Sequence, residues 1–202
     1  MTIDPRHTNY QDVYKLMIGA IVPRPIAFVS TISRDGVHNL APFSFFIGVS
    51  ANPPVIAFCP TKRTGPNPDK DTLVNIIFTK EFVVNVVSED IAEQMNITSA
   101  EFPPDVDEFE AAGLTAIPSD LVKPPRVGES HIQMECKLYL TIEISELPGG
   151  STLVLGEVLR FHVDDEYVDN FKIDPAKLRA VGRMGGATYV RTTDRFDMIR
   201  PR

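Results

Sequence analysis

Prolines and glycines interrupt this sequence so often that it has little room for long helices. Of its 202 residues, 17 are proline and 12 are glycine, and both residue types end or weaken regular elements. The runs between them are short and rich in β-branched and aromatic residues, as in residues 26–32 and 82–87, which is typical of buried strands. Asp35-Gly36 follows the first run and favours a tight hairpin turn. The pattern therefore predicts a largely antiparallel sheet.

The positions of these prolines and glycines allow strands and helices to be predicted between them. We predict strands at residues 26–32, 37–40, 43–49, 55–59, 82–87, 132–143 and 153–163. Apolar residues at helical spacing indicate helices at residues 10–17, 71–80 and 89–96, the last of them capped by Ser88. The acidic segment 101–110 is interpreted as a surface excursion, with residues 105–110 as a solvated face. Strands at hairpin spacing with few helices predict a single α+β domain over residues 1–202, an antiparallel β-barrel with a few peripheral helices.

Composition and charge exclude several classes of protein. Hydrophobic residues make up 43% and charged residues 23%, which is close to the ordinary globular mix. A net charge of -7 provides no overall basic surface for nucleic acid. No apolar run reaches the roughly 18 residues that would span a membrane, and the beginning lacks a signal-peptide pattern. We expect a cytoplasmic protein with no nucleic-acid or membrane partner, in which Cys59 and Cys136 are reduced thiols.

Common catalytic and nucleotide-binding motifs are absent from the sequence. It contains no G-x-G-x-x-G, no G-x-x-x-x-G-K-[ST] and no G-x-S-x-G. The histidines are scattered without H-x-x-x-H spacing, so no metal site is predicted. His131 and His162 lie in or beside strand patterns and are interpreted as structural. The sequence thus carries none of the general catalytic signatures.

Three segments combine basic residues, small polar residues and proline near strand ends. The first spans residues 23–31, the second spans 39–46, and the third joins the loop 62–64 to the helix start at 70–75. A helix start with Lys70 and Thr72 suits a phosphate, because backbone N–H groups and the helix dipole favour an anion there. Hydroxyl and backbone groups at strand ends can bind a flat heteroaromatic ligand, with Phe43 and Phe45 as its walls.

These segments also resemble the flavin reductase-like family. The resemblance rests on PRPIAFVST with its Asp-Gly turn, NLAPFSFF, NPP, KDT with Asn75, Glu108-Phe109 with Ala112-Gly113-Leu114, and GRMGG followed by Tyr189. It extends over most of the chain. The resemblance implies an FMN-binding split β-barrel and a homodimer with FMN at or near the subunit interface. It also implies that the flavin carries the chemistry, with hydride arriving from NADH or NADPH and no catalytic side chain. FAD in place of FMN is left open.

The cofactor-binding candidates all come from these segments. They are Arg24, Ser30, Thr31, Asn39, Ala41, Pro42, Phe43, Ser44, Lys62, Arg63, Thr64, Lys70, Asp71, Thr72, Arg183 and Tyr189. Lys70 and Thr72 are the phosphate candidates among them. Asp71 is interpreted as the helix N-cap, because a carboxylate beside a phosphate would repel it. Arg183 and Tyr189 are candidates for closing the site, across the dimer.

Several of these residues have a plainer interpretation. Arg24 is otherwise a surface arginine on a turn, and Ser30 and Thr31 are otherwise ordinary strand-end hydroxyls. The 62–64 loop is otherwise a solvated basic loop. Cys59 ends an apolar strand and is interpreted as a core thiol rather than a flavin contact.

Two functions are compatible with the sequence. The first is an oxidoreductase that passes electrons from NAD(P)H through FMN to free flavin or another small acceptor. The alternative is a non-enzymatic FMN-binding electron carrier, which a partner protein reduces. Both need the same FMN pocket, so the motifs do not separate them.

Overall fold

The strands form the framework of the molecule, and a computed structural model describes residues 1–201. The strands are β1 (Ala27–Ile32), β2 (His38–Phe43), β3 (Phe46–Ala51), β4 (Pro54–Phe58), β5 (Glu81–Val86), β6 (Ala116–Ile117), β7 (Arg126–Val127), β8 (Ile132–Glu143), β9 (Thr152–Val163), β10 (Val168–Asp169), β11 (Lys172–Ile173), β12 (Val181–Arg183) and β13 (Tyr189–Arg191). The helices are α1 (Tyr10–Ala20), α2 (Asp71–Thr79), α3 (Ala92–Ile97), α4 (Glu108–Ala112) and α5 (Pro175–Leu178).

Seven strands form one antiparallel sheet in the order β2-β1-β5-β8-β9-β4-β3. Only Ser44 and Phe45 separate the two edge strands β2 and β3 in the chain, so the edges meet at one end. Within residues 1–201 these edges do not pair with each other. The sheet is therefore a barrel that stays open along one side, which confirms the predicted antiparallel split β-barrel with few helices.

Strand β1, which lies between β2 and β5, is buried on both faces, which explains its continuous apolar sequence. Ala27 and Val29 pack into a core that Leu73 and Ile76 of α2 also enter. Phe28 points the other way, into a second core that Met95 of α3 and Phe109 of α4 complete. The helices therefore cover the two faces of β1, and they bring α2, α3 and α4 close to β2.

Several predicted element boundaries were wrong. Helix α1 continues to Ala20 rather than ending at residue 17, because a single glycine such as Gly19 weakens a helix without having to end it. Strand β2 extends to Phe43 and β3 begins at Phe46. Pro42 is accommodated because β2 is an edge strand, where one N–H is not needed for pairing.

The predicted helix at residues 89–96 is a 3-10 turn, Glu89–Ile91, followed by α3. Ser88 precedes that turn, but its side chain makes no capping hydrogen bond and is buried. The prediction that Ser88 caps this helix with its side chain is therefore wrong.

The prediction of a solvated acidic face at residues 105–110 was wrong in part, because Asp105 and Glu110 are exposed but the residues between them are not. Asp107 begins α4 by accepting hydrogen bonds from the N–H groups of Phe109 and Glu110. Phe109 and Glu108 are both buried, because the single aromatic residue in this acidic run inserts into the second core. Glu108 is carried inward with it.

The C-terminal region adds small elements that the sequence did not indicate. Strands β12 and β13 form a hairpin, and Arg24 bridges to Arg183 of β12 through paired backbone hydrogen bonds. No helix within residues 1–201 has the length and apolar character needed to cross a membrane.

Candidate functional site

Helix α2 begins beside β2 with its first N–H groups uncapped by any side chain. Lys70 is its N-cap residue and makes no side-chain capping bond, so the prediction that Asp71 is the N-cap is wrong. The N–H groups of Leu73 and Val74 bond to the carbonyl of Lys70. Those of Asp71 and Thr72 lie at the start of the helix, where the helix dipole favours negative charge.

A cavity of about 70 Å³ lies at this helix start. It will be called the anion cavity. Its walls are formed by Asn39, Ala41, Pro42, Phe43, Arg63, Lys70, Asp71, Thr72, Thr98, Ser99, Ala100 and Glu108. The structure thus brings together the predicted residues of β2, of the helix start and Arg63. The segment 98–100 and Glu108 were not among the candidates.

Asn39 is the centre of a hydrogen-bond network that fixes this wall. Its Oδ1 accepts from the Thr72 hydroxyl at 2.8 Å and from the Thr31 hydroxyl at 3.1 Å. The Asn75 amide donates to the Thr31 hydroxyl at 3.0 Å, and the Asn39 amide donates to Glu108 Oε2. The network ties β1, β2, α2 and α4 together, so Thr31 acts by holding Asn39 in place.

Two cations line the anion cavity. Arg63 Nη2 donates to Asp71 Oδ2 at 3.0 Å. Arg63 Nε and Lys70 Nζ each lie 3.6 Å from Glu101 Oε1. Arg63 Nε is buried and has no hydrogen-bond partner within residues 1–201. A buried donor without an acceptor is costly, so these residues fit an anionic oxygen, such as that of a phosphate, in the cavity.

Glu108 is the functional candidate that the sequence analysis missed. Its Oε2 accepts from both the Asn39 amide and the Leu40 N–H. Burial raises the pKa of Glu108 to about 7, although the hydrogen bond from Leu40 opposes this effect, and the negative charge of Asp71 adds to it. The clue in the sequence was that Glu108 and Phe109, followed by Ala112-Gly113-Leu114, resemble the family, although Glu108 was not assigned to the site.

Comparison with known protein families matches residues 18–176 to the flavin reductase like domain. This chain belongs to the flavin reductase-like family. An uncharacterized protein of Aquifex aeolicus is 46% identical over 187 residues, covering 92% of this chain and 93% of the relative.

Solved structures of the same family show how closely the fold is shared. Nitrilotriacetate monooxygenase component B from Bacillus cereus superimposes with a TM-score of 0.93 at 36% identity, covering 98% of each chain. The Pseudomonas fluorescens 2-nitrobenzoate 2-nitroreductase NbaA superimposes with a TM-score of 0.90 at 33% identity, covering 100% of this chain and 96% of that chain.

Arg24 lies outside the anion cavity of this flavin reductase-like chain. Its guanidinium donates to the carbonyls of Ile18 at 2.6 Å, Ile21 at 2.9 Å and Met184 at 2.9 Å. A fourth bond, at 3.3 Å, reaches the hydroxyl of Ser44. Arg24 is 4% exposed, so it is not the surface arginine of the plainer interpretation. It joins α1, β12 and the end of β2.

Three other candidates also lie apart from the anion cavity. Ser30 is buried and donates to the carbonyl of Pro125 at 2.5 Å. Lys62 and Thr64 line a separate surface depression beside α1.

The charge of Lys62 is neutralised where it lies. Its Nζ contacts Asp69 at 2.8 Å and Glu143 at 2.9 Å. Hydrogen bonds to these carboxylates raise the pKa of Lys62 to about 12.

Arg183 and Tyr189 form a pair of their own next to α3. The Arg183 guanidinium lies 4.3 Å from the centre of the Tyr189 ring, and the Tyr189 hydroxyl donates to Asn96 Oδ1 at 3.2 Å. Tyr189 lines a shallow depression of about 590 Å³. A role in closing the flavin site stays a prediction for both residues.

A cluster of possible metal ligands, Asp120, Glu135 and His162, is explained by hydrogen bonding. The buried Glu135 carboxylate accepts from three backbone N–H groups, at residues 120–122, and contacts His162 Nε2 at 2.6 Å. Burial opposes the charge, but these hydrogen bonds outweigh it and hold the pKa of Glu135 below its usual range. The Glu135 carboxylate oxygens therefore hold the loop before β7 against β8 through hydrogen bonds.

Proposed function

We propose that this protein is an FMN-dependent oxidoreductase that takes electrons from NAD(P)H and passes them to free flavin or another small acceptor. The observation that carries the proposal is the buried Arg63 Nε, which has no hydrogen-bond partner within residues 1–201 and lies beside the uncapped start of α2. A phosphate oxygen would satisfy both. The likeness to a monooxygenase component and to a nitroreductase supports redox chemistry.

The size of the anion cavity limits which part of FMN it holds. About 70 Å³ is far below the roughly 300–1,000 Å³ of pockets that enclose drug-sized ligands. It therefore suits the phosphate group, and the isoalloxazine ring would lie outside it, against the Ala41–Phe43 side of the opening. The terminal phosphate of FMN fits such a small cavity better than the pyrophosphate of FAD does. FAD is the alternative cofactor.

Bound flavin would supply the transfer of hydride and electrons. The residues of the chain position it: Arg63 and Lys70 hold its negative charge, and Asn39 keeps β2 fixed to α2. No side chain is needed as a nucleophile or metal ligand. Because the donor is a soluble nucleotide and both cysteines are free thiols, we place the reaction in the cytoplasm.

An absorption titration with FMN, followed by anaerobic addition of NADH or NADPH, tests this function. The sequence contains no tryptophan and 5 tyrosines, so the weak ultraviolet absorption of the protein leaves the ultraviolet band of bound flavin visible beside its bands in the visible region. We expect saturable FMN binding and bleaching of the bound flavin by one of the nucleotides. Bleaching only by a reduced partner protein would support the electron carrier instead. Absence of saturable binding would contradict both functions.

We also propose that the protein is a homodimer with the flavin at or near the subunit interface. Ile47 of β3, Ala57 of β4, Leu155 of β9 and Leu140 of β8 are register partners across four strands. Directly paired residues share one face of an antiparallel sheet, so these side chains form an apolar row. Ile47 is 62% exposed, Leu140 is 48% exposed and Leu155 is half-buried, whereas Ala57 is buried between them. Exposed apolar side chains on one sheet face are typical of association sites, and a second copy would cover them.

Replacing Ile47 and Leu140 together with lysine is expected to convert the dimer to a monomer. Two charges on each subunit would be forced into an apolar interface without partners. Sedimentation equilibrium measures the result. The matched control is Phe171→Asn, which removes an apolar side chain that is 99% exposed on the β10–β11 turn and should leave the dimer intact. A wild-type protein that sediments as a monomer would contradict the proposal.

A further inference from the structure

Glu108 carries an oxygen that the protein itself does not use. Both hydrogen bonds to its carboxyl group, from the Asn39 amide and the Leu40 N–H, end on Oε2. Oε1 accepts none within residues 1–201. The residue is 6% exposed, and it borders both the anion cavity and a second cavity of about 360 Å³ that Asn39 and Asp71 also line. Oε1 is thus a polar atom of a largely buried residue, and its partner must come from a bound molecule or from water.

The charges around Glu108 as a whole disfavour an anionic carboxylate, because the negative charges of Asp71 and Asp107 raise its pKa while only the charge of Arg63 lowers it. The charged and titratable groups on the elements packed against it are Asp71 of α2, Arg63 and Lys70 of the preceding loop, His38 of β2 and Asp107 at the start of α4. Within the described residues no cation lies within ion-pair distance of Glu108. Arg63 is paired with Asp71, and His38 contacts Asp107 at 3.0 Å.

A bound phosphate would add further negative charge beside this carboxyl group. Two anions that share a low-dielectric site repel each other strongly. Burial already raises the pKa of Glu108 to about 7, so the neutral acid is accessible near neutral pH. A neutral carboxyl group has an O–H donor, and Oε1 is the atom free to hold the proton.

We propose that Glu108 binds the flavin phosphate as a neutral acid, with its Oε1–H donating a hydrogen bond to a phosphate oxygen. The proton comes from solvent and resides on Oε1 in the complex, so FMN binding takes up a proton at this carboxyl group. The inference rests on the proposed function, and it assigns Glu108 to the binding site. It also fixes the direction of the pH dependence. Below its pKa Glu108 is already neutral, whereas above it binding must include protonation and the affinity falls.

The test compares FMN dissociation constants of wild type and Glu108→Gln between about pH 6.5 and about pH 8.5, measured by quenching of flavin fluorescence. The Gln amide places a permanent N–H donor where the acid has its O–H, and its carbonyl can accept from Leu40. We expect wild type to lose about tenfold in affinity relative to Glu108→Gln between about pH 7 and about pH 8.5. The titration of the FMN phosphate is common to both proteins and cancels in this ratio. Glu110→Gln, a change at an exposed position of the same helix, should behave as wild type.

Riboflavin, which has no phosphate, provides the ligand control. Its affinity should show no pH-dependent difference between the two proteins. If the FMN ratio is constant over the pH range while FMN still binds, the inference is overturned and the proposed function stands. If FMN binds neither protein at any pH, both are overturned.

Calorimetry on the wild-type protein tests the same point without a variant. FMN binding at about pH 8 is measured in two buffers with different ionisation enthalpies, and the difference reports protons taken up. We expect an uptake approaching one proton per FMN. Zero uptake would overturn the inference even if Glu108→Gln failed to fold.

Discussion

We expect that replacing both Arg63 and Lys70 with methionine will weaken FMN binding by at least about a hundredfold. Each cation would make a charge-assisted contact with the phosphate, and hydrogen bonds to charged groups contribute roughly 1.5–3 kcal/mol each. Losing two of them costs about 3 kcal/mol or more, and each 1.4 kcal/mol corresponds to about a tenfold change. Methionine preserves much of the length of both side chains. Flavin fluorescence at low ionic strength gives the dissociation constants.

The loss of these two cations should not itself unfold the protein. Glu101, which faces both of them, is 70% exposed at its side chain and can be hydrated in the variant. Lys137→Met removes one positive charge from an exposed position on β8, away from the anion cavity, and controls for one of the two charges that the double variant loses. A folded double variant with the wild-type dissociation constant would show that the phosphate binds elsewhere.

Arg24→Lys should lower the free energy of unfolding by about 3 kcal/mol or more. The guanidinium bonds three carbonyls and one hydroxyl at once, whereas a lysine ammonium cannot reproduce this planar fork. Each buried carbonyl left without a donor costs roughly 1–3 kcal/mol. Urea denaturation of the flavin-free protein measures the change. Because Arg24 connects α1 with β12, both elements should be lost together.

A conservative exchange at an exposed arginine provides the comparison. Arg6→Lys, at a side chain that is 84% exposed, should leave the unfolding midpoint unchanged. If Arg24→Lys were equally neutral for stability but abolished FMN binding, the cofactor role that the family resemblance gave Arg24 would be supported instead.

Much of the fold could be predicted because its turns and element boundaries depend on residues that are close in sequence. The Asp-Gly turn at residues 35–36, the helical spacing after Lys70 and the alternation in residues 132–143 each reflect neighbours in sequence. The errors arose where tertiary contacts, rather than neighbours in sequence, determine the local structure. Pro42 suggested a strand boundary, but an edge position removes the need for its N–H. Phe109 lay in a polar segment, yet the second core supplied a place for it.

The candidate site was predicted in part for the same reason. Asn39, Lys70 and Thr72 lie in motifs, and the structure gathers them around one cavity. Glu108 could not be found from spacing, because it reaches Asn39 only after α4 packs onto β2. Arg24 shows the opposite difficulty. Its position between two prolines suggested a ligand contact, whereas the structure uses its charge to satisfy backbone carbonyls.

The anion cavity has a consequence for local opening of the native protein. Asn39 and Glu108 are 69 positions apart in the chain, and Arg63 comes from a third segment. A ligand that requires all three segments raises the free energy of any fluctuation that separates them. Bound FMN would therefore slow amide hydrogen exchange in α4 and in the 98–100 segment as well as at the start of α2. Exchange in the β10–β11 hairpin, which contributes nothing to the cavity, would keep its original rate.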